Sequence, residues 1–302
     1  MTKPHPIALT AIICVVITLG ALLAFAGSQG GWVFTTPGSM SGFPGFAIAV
    51  LVTFLLQWIA FIPASIAKTD RYFDATGSLT YIAITIMLIL MSPSLDARDL
   101  LLAAVVIVWA ARLGTFLFAR NIRSGRDDRF DEIKTSKLRF FMVWTLQALW
   151  VSLTAAAAWI ALASSNSRAL DWTTWIGLSL WLIGFTIEVV ADVQKNQFKA
   201  DPNNRGRFIK TGLWSTSQHP NYFGEIMLWI GVLLIAAPVL QGWQWVAFLS
   251  PAFVILLLTK ISGIPTLEKK AAEKWGNEPE YQAYRARTSK LIPLPQRSKH
   301  SE

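Results

Sequence analysis

Fifteen residues in the last third of the chain, Thr211-Gly212-Leu213-Trp214-Ser215-Thr216-Ser217-Gln218-His219-Pro220-Asn221-Tyr222-Phe223-Gly224-Glu225, set hydroxyls, an imidazole, an amide, a phenol and a carboxylate side by side. Such a set can hold and orient a polar ligand, because its donors and acceptors differ in geometry and number. Pro220 suits the first turn of a helix, where its missing N–H would find no partner anyway. Asn221 and Glu225, four apart, then share one face of that helix, and Tyr222 follows Asn221. Further groups combine charge with apolar surroundings. Arg112 lies in Trp109-Ala110-Ala111-Arg112-Leu113-Gly114, Glu188 and Asp192 are four apart on one helix face, and Asp74 stands beside Arg71 and Tyr72. Ionisable residues inside apolar segments are costly and mark a cavity or a partner. Near a segment end, each can alternatively snorkel to water.

The elements that must position these groups are membrane helices. Of the 302 residues, 53% are hydrophobic and 15% charged, against roughly 25% charged in soluble chains. Residues 7–26, 43–67 and 140–167 carry no charge at all, and about 20 apolar residues suffice for a helix to cross hydrocarbon. Eight apolar segments can be placed, at about 7–26, 43–67, 77–92, 99–118, 140–163, 172–193, 221–238 and 243–261. The third, short and opening at Gly77, is the weakest. The first is too long for a signal-peptide core and reads as a retained span. The expected fold is an all-α polytopic membrane protein of about eight transmembrane helices, with residues 1–302 as a single membrane domain.

Cation placement orients these spans. Twenty-three of the 27 Lys and Arg fall on one side, Arg98 and Arg168 fall on the other, and Arg112 and Lys260 lie within segments. The positive-inside rule then puts both termini in the cytoplasm, with the polar groups in the cytoplasmic half. The net charge of +9 thus belongs to membrane-flanking loops and does not imply nucleic acid. Topology and anionic lipid alone would also account for the basic loops. The one cysteine, Cys14, lies in the first apolar segment, which excludes a disulfide or a Cys-based metal site. His5, His219 and His300 are the three histidines and two lie in the tails, so no histidine-rich metal site is expected.

His219-Pro220-Asn221-Tyr222-Phe223-Gly224-Glu225, preceded by Thr211-Gly212-Leu213-Trp214, resembles the C-terminal signature of the steroid 5α-reductase family, most of all its bacterial branch. Trp109 to Gly114, the Arg126-Asp127-Asp128-Arg129-Phe130 loop, Ser262-Gly263-Ile264-Pro265, and Tyr281, Tyr284 and Leu291-Ile292-Pro293 fit the same pattern. The resemblance covers about residues 70–295 and leaves 1–69 as two additional N-terminal spans. It implies an NADPH-dependent reductase of a carbon–carbon double bond conjugated to a carbonyl, acting on a lipid-like, steroid- or isoprenoid-type substrate. Hydride would pass from the nicotinamide to the β-carbon while a proton donor stabilises the developing enolate.

Carried over residue by residue, the resemblance assigns cofactor contacts to Arg112, Asp192, Arg207, Asn221 and Glu225. Glu188, four residues before Asp192 on the same helix face, joins them, as do His219 and Tyr222 from the same fifteen-residue run. Guanidinium forks suit the phosphates of a polyanion, and amide and carboxylate groups suit the nicotinamide carboxamide. All these groups are expected to share one anion-accepting chamber, in what would be a bacterial inner membrane with the cofactor site facing the cytoplasm. The family's Glu–Tyr proton donor is not reproduced. Trp109 stands at the tyrosine position, Gln57-Trp58 lacks an acid, and Asp74 is the candidate acid, with Tyr72 or Tyr81 supplying the phenol. Gln218 stands where the family usually has arginine. The alternative is an S-adenosylmethionine-dependent methyltransferase of the isoprenylcysteine carboxyl methyltransferase type, which shares His-Pro-x-Tyr. Clustered cations suit three phosphate groups better than one sulfonium. A transporter would instead place polar residues across the midplane.

Overall fold

A computed structural model describes residues 5–35, 42–124 and 133–296. The Arg126–Phe130 stretch and His300 lie outside the described residues. The chain forms α1 (Pro6–Gly27), α2 (Gly45–Ile66), α3 (Phe73–Met91), α4 (Ala97–Ser124), α5 (Lys137–Leu162), α6 (Trp172–Ala200) and α7 (Pro220–Ala236). After these come α8 (Leu249–Leu256), α9 (Ile264–Trp275) and α10 (Pro279–Arg287). A two-residue strand pair, Val33–Phe34 with Phe43–Pro44, closes the α1–α2 connection. Among the described residues, eight helical stretches are long and apolar enough to cross a membrane, including the weak third one. The protein is an all-α integral membrane protein. Its last stretch, Gly242–Trp275, is not one regular helix. A 3₁₀ segment leads into α8, a π-turn over Leu257–Ile261 follows, and Ser262-Gly263 separates that turn from α9.

The helices group into two compact units, Met1–Thr174 with Leu233–Ser250, and Trp175–Val232 with Pro251–Glu302. In the first unit, α5 is the central helix and packs against α1, α2, α3 and α4. Its Ala155, Ala156, Ala157 and Ala158 are fully buried. Small side chains of this kind let membrane helices approach closely where apolar surface alone gives no drive to associate. Buried hydrogen bonds between helices add register. Gln57 Nε2 donates to Thr80 Oγ1 at 2.9 Å and Trp159 Nε1 to Thr85 Oγ1 at 3.0 Å.

Helices α3 and α4 form a close hairpin. A Cβ on Gly114 would come within 2.7 Å of Ser78 Cβ, and the Tyr81 and Trp109 rings meet edge to face at 5.2 Å. Tyr81 and Trp109 are therefore both buried.

Arg98, which the sequence placed among loop cations, is 1% exposed. Its Nη1 donates to Thr174 Oγ1 at 2.7 Å and to the Ile235 carbonyl at 2.6 Å. Its Nη2 donates to the Ala169 carbonyl at 2.7 Å and lies 3.6 Å from Asp171 Oδ1. Burying a guanidinium is costly unless its donors are met; acceptors from two stretches of chain, residues 169–174 and Ile235, meet those of Nη1 and Nη2, while Nε is buried without a hydrogen-bond partner. Asp96 holds the start of α4 in place, its Oδ1 accepting from the Arg98 and Asp99 amides at 2.8 and 2.9 Å.

Candidate functional site

Within the second unit, α6 and α7 touch backbone to backbone. Gly177 and Gly184 on α6, and Gly224 and Gly231 on α7, are each seven residues apart. A Cβ on Gly224 would lie 2.5 Å from the Gly184 carbonyl and 2.7 Å from the Glu188 amide. On Gly231 it would lie 2.5 Å from the Gly177 carbonyl. Only glycine permits such contact. The contact sets Glu188 against the turn of α7 that carries Asn221, Tyr222 and Glu225. Glu188 is 3% and Asp192, one turn further along the same face, 7% exposed, whereas Asn221, Tyr222 and Glu225 are half-buried.

Helix α6 runs to Ala200, two turns past the apolar segment ending at 193. Residues 194–200 contain no Gly or Pro, and the helix ends only at Asp201-Pro202, where proline cannot continue it. Lys195 and Lys199, expected in a loop, therefore stand on the helix. This extension anchors the loop that follows. Gln194 Oε1 accepts from the Leu213 amide at 3.0 Å, Trp214 Nε1 donates to the Ala191 carbonyl at 3.0 Å, and Lys195 Nζ sits 4.6 Å above the Trp214 ring. Gly212 has φ +61, and a Cβ there would meet the Gln194 side chain at 2.6 Å.

The chain after α10 is strapped onto the same loop. Gln218 N donates to the Ser289 carbonyl at 2.8 Å, Ser217 Oγ to the Leu291 carbonyl at 2.7 Å, and Leu294 N to the Thr216 carbonyl at 3.1 Å. The Gln218 side chain donates to the Arg285 and Thr288 carbonyls at 3.2 and 2.8 Å. These carbonyls sit at the C-terminal end of α10, where backbone acceptors lack helical partners. At the position where arginine is usual, glutamine thus serves as a cap. Tyr284, from α10, donates its hydroxyl to the Trp214 carbonyl at 2.7 Å.

Between these parts of the second unit lies an open cavity of about 280 Å³. Lys195, Lys199, Arg207, Lys270 and Lys274 line it, with Glu268 as its one acid, over aromatic walls that include Trp214 and Trp275. His219, 7% exposed, also lines it and stacks on Tyr222 at 5.7 Å and 11°. Burial, with the Lys195 charge adding to it and Glu268 opposing, pushes the His219 imidazole down to about 4. An imidazole at that value is neutral at physiological pH. Its Nδ1 is buried with no hydrogen-bond partner.

Of the residues singled out from sequence, Arg207 and His219 line this cavity. Glu188, Asp192, Asn221, Tyr222 and Glu225 gather at the adjoining α6–α7 contact. The remaining three belong to the first unit. Asp74 is half-buried in the first turn of α3, and Tyr72, just before it, is 54% exposed with the Arg71 guanidinium 5.8 Å from its ring. Arg112 is half-buried on α4, 5.2 Å from the Phe116 ring. Sequence reasoning missed the lysines of α9. The amphipathic run Leu267, Lys270, Ala271, Lys274 at helical spacing after Pro265 is the signal that would have found them.

A family model described as "Protein of unknown function (DUF1295)" matches residues 60–288. The chain belongs to this family. DUF1295 falls within the steroid 5α-reductase-like superfamily, and the match begins near the end of α2, leaving α1 outside it. Relatives include "Uncharacterized protein C594.04c" of Schizosaccharomyces pombe, 27% identical over 65% of this chain and 63% of the relative. The steroid 5-alpha-reductase DET2 of Gossypium hirsutum is 30% identical over 28% of this chain and 30% of its own length. The Delta(14)-sterol reductase of Methylotuvimicrobium alcaliphilum is 28% identical over 35% and 28%. The chain therefore spans under two thirds of the length of each of these relatives. No solved structure matches it.

Proposed function

We propose that this DUF1295 protein is a membrane reductase that uses NADPH to reduce a carbon–carbon double bond conjugated to a carbonyl in a lipid-like substrate. We place it in a bacterial inner membrane with the cofactor side facing the cytoplasm. One observation carries the reading. Five cations rim an aromatic-walled cavity that adjoins the carboxylates and amide of the α6–α7 contact, in a chain whose partial relatives are named steroid and sterol reductases.

The residues fit the cofactor. The cavity lies near the lower end of the roughly 300–1,000 Å³ that encloses small ligands, so it suits one half of a dinucleotide. Arg207 and the lysines would hold phosphate oxygens by charge-assisted hydrogen bonds. Glu188, Asp192, Asn221 and Glu225, outside its lining, would orient the amide-bearing half. When bound, NADPH supplies a hydride. His219 would offer a neutral hydrogen bond at the cavity wall. Asp74, with Tyr72 beside it, keeps its assignment as proton donor. S-adenosylmethionine, with a sulfonium, an ammonium and a single carboxylate, gains less from a rim of five positive side chains than a ligand with three phosphate groups does. The methyltransferase reading is therefore the weaker one.

The test is mass spectrometry of the lipids that co-purify with the protein, before and after NADPH is added. One lipid species should gain two hydrogens with wild type and none with Asp74→Asn, while the variant still binds NADPH. Absence of any such gain with wild type rejects the reductase reading. A fully active Asp74→Asn removes Asp74 from the chemistry.

A further inference from the structure

The cations of the cavity are not spread evenly. Helix α6 presents Lys195 and Lys199, four apart, with Arg207 following in the loop, and α9 presents Lys270 and Lys274, also four apart. Residues four apart share one helix face, so two helices each aim a lysine pair at one cavity. The two groups rest on different aromatic residues. Lys195 Nζ lies 4.6 Å above the Trp214 ring, and Lys274 Nζ lies 4.7 Å above the Trp275 ring. Lysine pairs presented by two different helices and seated on different rings suit a ligand with two anionic groups.

The aromatic residues give the ligand a direction. Phe208, Trp275 and Tyr281 cluster at the α9–α10 end, with Phe208 ring centroids 5.9 and 5.0 Å from those of Trp275 and Tyr281. Trp275, half-buried at the rim, is a platform on which a base can stack. Helix α6, which carries Lys195 and Lys199, leads back to Asp192 and the α6–α7 contact. A dinucleotide with its adenine near Trp275 would have its ribose beside α9 and its pyrophosphate beside α6 and Arg207.

We infer that Lys270 and Lys274 of α9 bind the ribose 2′-phosphate and so select the phosphorylated cofactor over its unphosphorylated counterpart, with Lys195, Lys199 and Arg207 holding the pyrophosphate. This inference rests on the reading of the cavity as a dinucleotide site. It goes further by dividing the five cations between two phosphate positions and assigning discrimination to one pair.

The experiment uses full-length protein in detergent and two probes that differ only in the phosphate at issue, ADP-ribose and 2′-phospho-ADP-ribose. Binding is followed by calorimetry. Wild type should bind the phosphorylated probe at least roughly tenfold more tightly, the effect of one charge-assisted contact. Lys270→Ala/Lys274→Ala should bring that ratio close to one while changing ADP-ribose binding little. Lys269→Ala, on the same helix but outside the cavity lining, should preserve the ratio. A ratio that survives in the double variant overturns the inference, and is what lysines serving only the membrane surface would give. A wild type that binds NADPH but shows no preference between the probes also overturns it, leaving the cofactor reading intact. If wild type binds neither probe nor NADPH, both fail together.

Discussion

Gly224→Leu is expected to remove NADPH binding and to destabilise the protein by about 3 kcal/mol or more, the upper end of what overpacking costs. At this position a Cβ would lie 2.5 Å from the Gly184 carbonyl and 2.7 Å from the Glu188 amide. Both atoms are backbone, so no rotamer change relieves the clash, and α6 must move away from α7. That movement withdraws Glu188 and Asp192 from the turn carrying Asn221 and Glu225. Thermal unfolding in detergent and calorimetric titration with NADPH measure the two effects. A variant with unchanged melting and unchanged binding would show that the glycine contact does not position the site.

Arg98→Met should cost stability alone. Methionine keeps much of the volume but removes donors to Thr174 Oγ1 and the Ile235 and Ala169 carbonyls, each now met at 2.6 to 2.7 Å. Each buried acceptor left without its donor costs about 1–3 kcal/mol, and Arg98 now serves three such acceptors. The melting temperature should fall by several degrees, and the NADPH dissociation constant at a temperature where the variant is folded should be close to that of wild type. A melting temperature equal to wild type would mean that Arg98 is not held as described.

The eight crossings could be read from sequence because the need for roughly 20 apolar residues leaves long uncharged blocks. The third span reads as the weakest because its uncharged run is short. It forms Phe73–Met91, and Gly77, where the apolar run opens, lies a turn inside the helix. The site was legible where polar groups are adjacent in the chain, from Thr211 to Glu225. It was not legible where the determinants are non-local. Nothing in the spacing of Gly177, Gly184, Gly224 and Gly231 says which two helices will meet. Arg98 reads as a loop cation because its acceptors lie 71 to 137 residues away. Lys195 and Lys199 read as loop residues because charge ends an apolar segment, although it does not end a helix. Gln218 reads as a lost phosphate ligand until the end of α10, from another part of the chain, supplies two carbonyls for its amide.

The central claim is that the cation-rimmed cavity and the α6–α7 carboxylates serve a phosphorylated dinucleotide. The direct measurement is equilibrium titration of purified protein with NADPH, followed by nicotinamide fluorescence, with S-adenosylmethionine as competitor and an Arg207→Ala/Asn221→Ala variant alongside. The account predicts saturable binding in the micromolar range, no displacement by S-adenosylmethionine, and loss of binding in the variant. Binding of S-adenosylmethionine in place of NADPH, or NADPH binding unaffected by both substitutions, would contradict it.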